Sequence, residues 1–462
     1  MKWVGVVCAM LLPMFATAVD KKAVEAAVKK GVEFLKSQQK PDGSWTGVRA
    51  KGFPMGYTAL ALLALLKAGV SPDDECIKKG FDYLRKLPFQ KVYSVSLLIL
   101  ALEALYEPPS LKKVKEAGKK GDLSNWKTEA CKTPQKRAQD HFKKKAKRFD
   151  RAWLKRAVKW LLKVRNKEGI WRYPHGGYDH SNTQYALLAL CAAKRLGIKI
   201  SRDVWMAVAK HFIDSQEEKG PEVKPFFVPA ADLPLSKLEK AVEEALEGLK
   251  KLLKEEEKMG IGIKPKDLMR WRTKAIGEEV GKVFPPERRK VKMFARGWRY
   301  RNDRNEVTGS MTTAGLASLV ICKWGLAKNL ERNKNNPFLR KLNQAIRDGA
   351  AWLAHRFSVS SNPGRADGQW LYYYLYGLER AGVLTMAEQF GNRNWYDEGA
   401  EWLLSQQRAD GAWVETARSH KGDEDAVVTT AFAILFLKRG TVPVVRVPDE
   451  VIRTGLGLFR RK

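Results

Sequence analysis

Gly31-Val32-Glu33-Phe34-Leu35-Lys36-Ser37-Gln38-Gln39, followed by Asp42-Gly43-Ser44-Trp45, returns near the other end of the chain. The second copy reads Gly399-Ala400-Glu401-Trp402-Leu403-Leu404-Ser405-Gln406-Gln407 and then Asp410-Gly411-Ala412-Trp413. Glycine, an aromatic, Leu, Ser, a Gln pair, Asp-Gly and Trp keep one register in both. Self-similarity of this kind marks a chain built from repeated supersecondary units. Weaker copies lie between. Ala157, Trp160, Leu161, Gly169 and Trp171 make one, with Val164 and Arg165 in place of the Gln pair. Gly80, Tyr83 and Leu84 keep a first half, and Phe212, Ile213, Ser215 and Gln216 keep a helix end. Gly349, Trp352 and Leu353 precede a longer joint to Gly368-Gln369-Trp370.

Each copy leads into a second, more apolar stretch: Tyr57 to Leu66, Tyr93 to Leu105, Thr183 to Leu196, Thr312 to Trp324, Leu371 to Ala381 and Val428 to Lys438. The first member of each pair carries Lys, Arg and Glu on one side and is predicted to face water. The second is apolar nearly all round and is predicted to be buried. A hairpin cannot bury its own inner helix, so the pairs must pack on neighbours until a ring closes. The expected fold is all-α, an (α/α)6 toroid of six helical hairpins with two insertions.

The spacing Gln-x-x-x-Gly-x-Trp, at Gln39 to Trp45 and Gln407 to Trp413, resembles the QW-type repeat of the squalene-hopene cyclase and protein prenyltransferase superfamily. Ser181 to Leu190 and Tyr374 to Gly382 resemble its secreted bacterial branch, the prenyltransferase/squalene oxidase repeat proteins. The resemblance implies the toroid. It also supplies two chemistries to look for. Cyclases of that superfamily protonate an alkene from a D-x-D-D tetrad. This chain has none; the closest string is Ser71-Pro72-Asp73-Asp74, and the last inner helix reads Val428-Thr429-Thr430-Ala431. Prenyltransferases hold zinc with an Asp-x-Cys pair and a distant His. Asp74-Glu75-Cys76 has that short spacing but opens an outer helix, so no metal site and no cofactor are expected.

Lys2, an apolar stretch from Trp3 to Phe15 and Ala16-Thr17-Ala18 read as a signal peptide over residues 1–18, with the mature chain starting at Val19. The remaining apolar runs are too short or too interrupted to span a bilayer. The expected address is exported, periplasmic or secreted, and not transmembrane. Cys76, Cys131, Cys191 and Cys322 show neither disulfide-scaffold nor zinc-ribbon spacing, which favours free thiols. The formal net charge of +34 suits polyanionic surroundings such as an acidic polysaccharide or anionic lipid, and a protein partner is also open. Nucleic acid is a poorer fit, because few aromatics interleave the charges. Lys112 to Arg151 is the densest basic stretch and reads as a solvated insertion at about 111–151. A second insertion at about 217–296 contains Leu235, Leu238, Val242, Ala245, Leu249 and Leu252 at helical spacing. That stripe is expected to pack onto the ring.

With all hairpins running the same way, the N-terminal ends of the inner helices gather at one mouth, where unpaired N–H groups favour anions. Three residues there carry acid–base types: Asp179, His180 and Asp425. Tyr57, Tyr93, Asn182, Gln184, Thr312, Trp370, Tyr373, Asp423 and Glu424 are candidate ligand contacts. Asp179 and Ser181 are equally ordinary helix-cap types, and Asp423-Glu424-Asp425 suits a helix start with no ligand. Two functions stay open. One is a binding or scaffold protein for an apolar or anionic envelope ligand. The other is an enzyme with acid–base residues at the mouth, acting on a bulky isoprenoid or cleaving an anionic polysaccharide.

Overall fold

The computed structural model describes residues 19–47, 52–118, 124–173, 179–260, 262–284, 291–301, 306–333, 335–365, 369–415 and 425–447. The stretch read as a signal peptide lies outside them. Six apolar helices form the inner layer: α2 (Pro54–Lys67), α4 (Val92–Leu105), α9 (His180–Arg195), α14 (Gly309–Leu330), α16 (Leu371–Thr385) and α18 (Ala426–Leu437). Each packs on the next, and α18 packs back on α2, so the ring is closed. Outside it stand α1 (Lys21–Ser37), α3 (Glu75–Arg85), α8 (Arg148–Lys163), α10 (Arg202–Asp214), α15 (Pro337–His355) and α17 (Trp395–Gln406). The fold is the all-α toroid that the repeats predict. Local signals set the helix starts: Asp20, Asp74, Ser201 and Asn394 accept main-chain N–H bonds in the first turns of α1, α3, α10 and α17.

The recurring Gln, Gly and Trp are one mechanical joint. The indole Nε1 of Trp45, Trp171, Trp298 and Trp413 donates to the carbonyl of Leu35, Leu161, Phe212 and Leu403, at 2.7 to 2.8 Å. The main-chain N–H of the same four meets a Thr hydroxyl on the inner helix: Thr58, Thr183, Thr312 and Thr430. Gln39 donates to the carbonyls of Gly43 and Cys76, and Gln407 to those of Gly411 and Ala27. One side-chain amide thus ties its own turn to the next outer helix, and the Gln407–Ala27 bond closes the ring. Gln216 makes the equivalent bonds to Arg296 and Ala345 across the second insertion, so the fourth joint is split by that insertion and completed by Trp298. Trp370 does not play this part. It starts α16 in the left-handed region, φ 66°, and is 41% exposed.

The first insertion is more than a solvated charge run. Its helices α5 (Leu111–Gly118), α6 (Ser124–Ala130) and α7 (Pro134–Lys145) enclose Trp126, whose Nε1 donates to the Leu111 carbonyl at 3.1 Å. Phe142 is buried edge-on against Tyr106 of the ring. Two buried aromatics are why this stretch holds a fixed shape despite its lysines. The second insertion contains α11 (Pro229–Asp232), α12 (Leu235–Lys258) and α13 (Pro265–Gly281). Its neck is a short antiparallel pair, β1 (Glu222–Val223) with β2 (Met293–Phe294). It packs on the end of α14 away from the mouth, where Lys323 is buried and donates to the carbonyls of Ala230, Ala231 and Leu233. Among the described residues no helix is long and apolar enough to cross a membrane.

Candidate functional site

The N-terminal halves of the inner helices surround a cavity of about 660 Å³. Seven tyrosines line it: Tyr57, Tyr93, Tyr173, Tyr185, Tyr300, Tyr372 and Tyr373. Phe53, Trp370 and Phe432 add aromatic surface, and Asp425, Glu415 and Arg365 add charge. The opposite end of the ring is filled: the void between Leu63, Glu103, Arg195 and Tyr376 measures only about 30 Å³. There Arg195 forks onto Glu103 at 2.6 and 2.8 Å. Among the described residues, packing fills that end of the ring.

Asp425 stands at the start of α18, and Tyr57 on α2 donates to its Oδ1 at 2.5 Å across the closing seam of the ring. Both face the cavity. Tyr373 on α16 faces Tyr93 on α4, hydroxyl to hydroxyl at 3.1 Å, and accepts a hydrogen bond from the Gln184 amide. The Tyr373 and Tyr185 rings stack 6.3 Å apart, and Trp370 meets Tyr373 edge-on. Glu415 accepts the first main-chain N–H of α16, from Leu371, at 2.5 Å. Burial pushes the Tyr93 and Tyr373 phenols well above their ordinary range.

Several expected site residues stand elsewhere. Asp179 caps α9: its carboxylate accepts from the Asn182 N–H at 2.7 Å, the Asn182 amide at 2.8 Å and the Ser181 hydroxyl at 2.5 Å. Burial raises its pKa, while the Ser181 and Asn182 bonds pull it down. Asn182 is consumed in that cap and does not line the cavity. His180 is fully buried and turned toward α10. A carbonyl can only accept, so its Nδ1 donates to Arg299 at 2.5 Å. Its Nε2 is then the acceptor, facing His211 at 3.1 Å and Ser215 at 3.3 Å. Burial, then the nearby His211, hold His180 down at about 3. Neither Asp179 nor His180 presents a group to the cavity. Thr312 is the buried joint Thr of Trp298. Gln184 reaches the site only through Tyr373. Asp423 and Glu424 lie outside the described residues. Asp74 caps α3 and pairs with Lys36 at 2.5 Å, so the Asp-x-Cys spacing serves a helix start. Among the described residues no group of three or more His, Cys, Asp or Glu is placed to hold a metal. All four described cysteines are free thiols.

Tyr185, Tyr173, Tyr300, Arg365 and Glu415 are cavity residues that the sequence reading missed. Tyr185 was the most accessible of these, because it sits one helical turn below Ser181 on α9. Tyr300 and Glu415 come from turns beside Trp298 and Trp413, and nothing in their local pattern signals a site.

No family model matches the chain, and no curated protein does. Among solved structures, the chain is similar to one described as a possible member of the GH105 family from Salmonella enterica subsp. enterica serovar Paratyphi A. The identity is 13%, the match covers 94% of this chain and 98% of that one, and the TM-score is 0.35. Membership of the squalene-hopene cyclase and prenyltransferase superfamily is therefore withdrawn. The Gln–Gly–Trp spacing that suggested it is accounted for by packing, since it is what a hairpin needs to lock its turn onto the next outer helix.

Proposed function

We propose that the cavity takes a saccharide unit of an acidic polysaccharide and that the protein cleaves the chain by acid–base chemistry, with Asp425 as the proton acceptor. The observation that carries this reading is the Asp425–Tyr57 pair on the wall of an aromatic cavity. Aromatic faces suit the C–H faces of sugar rings, and tyrosine hydroxyls suit their alcohols. A carboxylate hydrogen-bonded to a phenol on a cavity wall can take a proton from water, in hydrolysis, or from a ring carbon, in elimination. The charge of +34 favours a polyanion over a neutral glycan, and an exported protein would meet such polymers.

The test incubates the full chain with polygalacturonate, alginate and chondroitin sulfate. It follows new reducing ends together with the ultraviolet absorbance of unsaturated uronates. Cleavage of one polymer is expected, with Asp425→Asn lowering kcat by about 10²–10⁴-fold and leaving affinity nearly unchanged. If all three polymers bind and none is cut, a binding role takes its place. That second reading is favoured by the withdrawal of Asp179 into a helix cap and of His180 toward α10, and under it Trp370→Ala should weaken retention more than Asp425→Asn.

A further inference from the structure

Arg380, in the middle of α16, is 1% exposed and does not itself line the cavity. Its guanidinium lies 4.1 Å from the centroid of Tyr376 and 5.2 Å from that of Tyr185. Among the described residues, Nε and Nη1 have no hydrogen-bond partner. The neighbouring Glu379 is engaged by the N–H and hydroxyl of Thr441 instead. A buried guanidinium to which no carboxylate is hydrogen-bonded among the described residues is costly, and much of its field acts on the polarisable groups that adjoin it.

One hydrogen-bonded line leads from it to the cavity. Nη2 donates to Gln184 Oε1 at 3.3 Å, and Gln184 Nε2 donates to Tyr373 Oη. Tyr93 Oη stands 3.1 Å from the same oxygen. With its amide oxygen held by a cation, Gln184 is oriented to give N–H to Tyr373, and the Tyr373 proton is directed to Tyr93 or to a ligand. We propose that Tyr373 is the proton donor of the site and that Arg380 is a positioning residue that, through Gln184, stabilises the tyrosinate left behind.

The step rests on the polysaccharide-cleaving reading above. As the glycosidic C–O bond breaks, its electron pair goes to oxygen, which takes the Tyr373 proton, while carbon bonds the oxygen of water in hydrolysis or the C–H electrons form a C=C bond in elimination. The O–H electrons stay on Tyr373, now an anion facing Gln184 and Tyr93. Asp425 has taken the other proton, from water or from carbon, so the charges balance, and solvent exchange resets both groups. Among the described residues, the titratable and charged groups that act most on Tyr373 are Tyr93, Tyr173, Tyr185 and Arg380. Burial raises its phenol, and of these four Arg380 and the hydrogen bond to Tyr93 act to lower it.

Two measurements test the proposal, the first of them separately from the function. In the first, difluorotyrosine is placed at position 373, which brings its ionisation into an accessible pH range, and is followed by ¹⁹F NMR. Arg380→Met and Gln184→Met should each move that ionisation to higher pH, and Arg380→Lys, which keeps the charge, should move it less. Replacing a buried charge by Met is commonly tolerated by a fold, and Gln184→Met tests the same line without touching Arg380. An unchanged ionisation in both Met variants overturns the relay whether or not the protein is an enzyme. In the second, uronic acids carrying 4-nitrophenol or an aliphatic alcohol on the carbon whose C–O bond breaks, C1 for hydrolysis and C4 for elimination, are compared. Tyr373→Phe should cost about 10²–10⁴-fold on the aliphatic leaving group and under about tenfold on nitrophenol, which departs without a proton. Equal losses on both overturn the donor role. Absence of wild-type turnover on every polymer and glycoside refutes the polysaccharide reading and the donor role with it, while the ¹⁹F arm still decides the relay.

Discussion

The repeated joint makes a quantitative claim that three glycines can test. Gly43, Gly69 and Gly411 all have positive φ, at +89°, +97° and +88°, so an alanine at each meets the same left-handed penalty. That penalty is about 1–2 kcal/mol. The surroundings differ. A Cβ at Gly411 would stand 2.5 Å from the Lys30 carbonyl oxygen, and one at Gly43 would stand 2.3 Å from that of Lys79. Around Gly69 nothing lies within 4 Å. Because the carbonyls belong to the next outer helix, relieving the contact means pushing that helix away, a distortion that costs a further ~1–3 kcal/mol. Gly69→Ala should therefore destabilise by about 1–2 kcal/mol, and Gly43→Ala and Gly411→Ala by about 2–5. Urea unfolding midpoints at unchanged m-value give the ranking. Hydrogen exchange gives the location, with protection lost in α3 for Gly43→Ala and in α1 for Gly411→Ala. Equal destabilisation by all three would refute the joint as a close helix-to-turn contact.

Two other outcomes follow from buried groups. Burial pushes Glu379 up to about 7 from 4.5, so its contribution to stability is complete below pH 4.5 and is lost as pH rises through 7. Relative to wild type, Glu379→Gln should gain up to roughly 3 kcal/mol between pH 4.5 and 8 in urea titrations, and a pH-independent difference contradicts the burial argument. Trp126→Ala should open the first insertion to protease between residues 111 and 145 while α2 and α4 keep their hydrogen-exchange protection. An insertion still resistant to protease would mean that Trp126 does not hold it.

The fold was legible because its signal is periodic and repeated. α2, α4 and α18 are apolar on every side, which only an inner position explains, and Gln39/Trp45 with Gln407/Trp413 carried the joint at both ends of the ring. The fourth copy was readable only as far as Gln216. Its Trp298 lies beyond the insertion, and no local pattern says that a turn begun before an insertion ends after it. The same spacing misled at the level of family. Gln to two carbonyls and Trp to a third is a packing solution open to any closed α/α ring, so it fixes architecture and leaves chemistry free.

The site was legible in part, for a geometric reason. Topology alone brings the N-terminal ends of the inner helices to one mouth, so Tyr57, Tyr93, Trp370, Tyr373 and Asp425 fall on the cavity. Position along a helix does not say which way a side chain points around it. Asp179 and His180 are the first residues of α9 and its cap, yet the carboxylate folds back onto the Asn182 N–H and the imidazole turns outward to His211. A cap needs its side chain at the helix's own end, which is incompatible with reaching into the ring. Tyr185, one turn further in, reaches where His180 does not. The strongest acid–base types in the sequence were thus spent on building the mouth, and under the proposed function proton transfer in the cavity falls to Asp425 and the tyrosines. A reader weighting residue type above helical phase will name the cap, and one weighting phase will name Tyr185 and Tyr373.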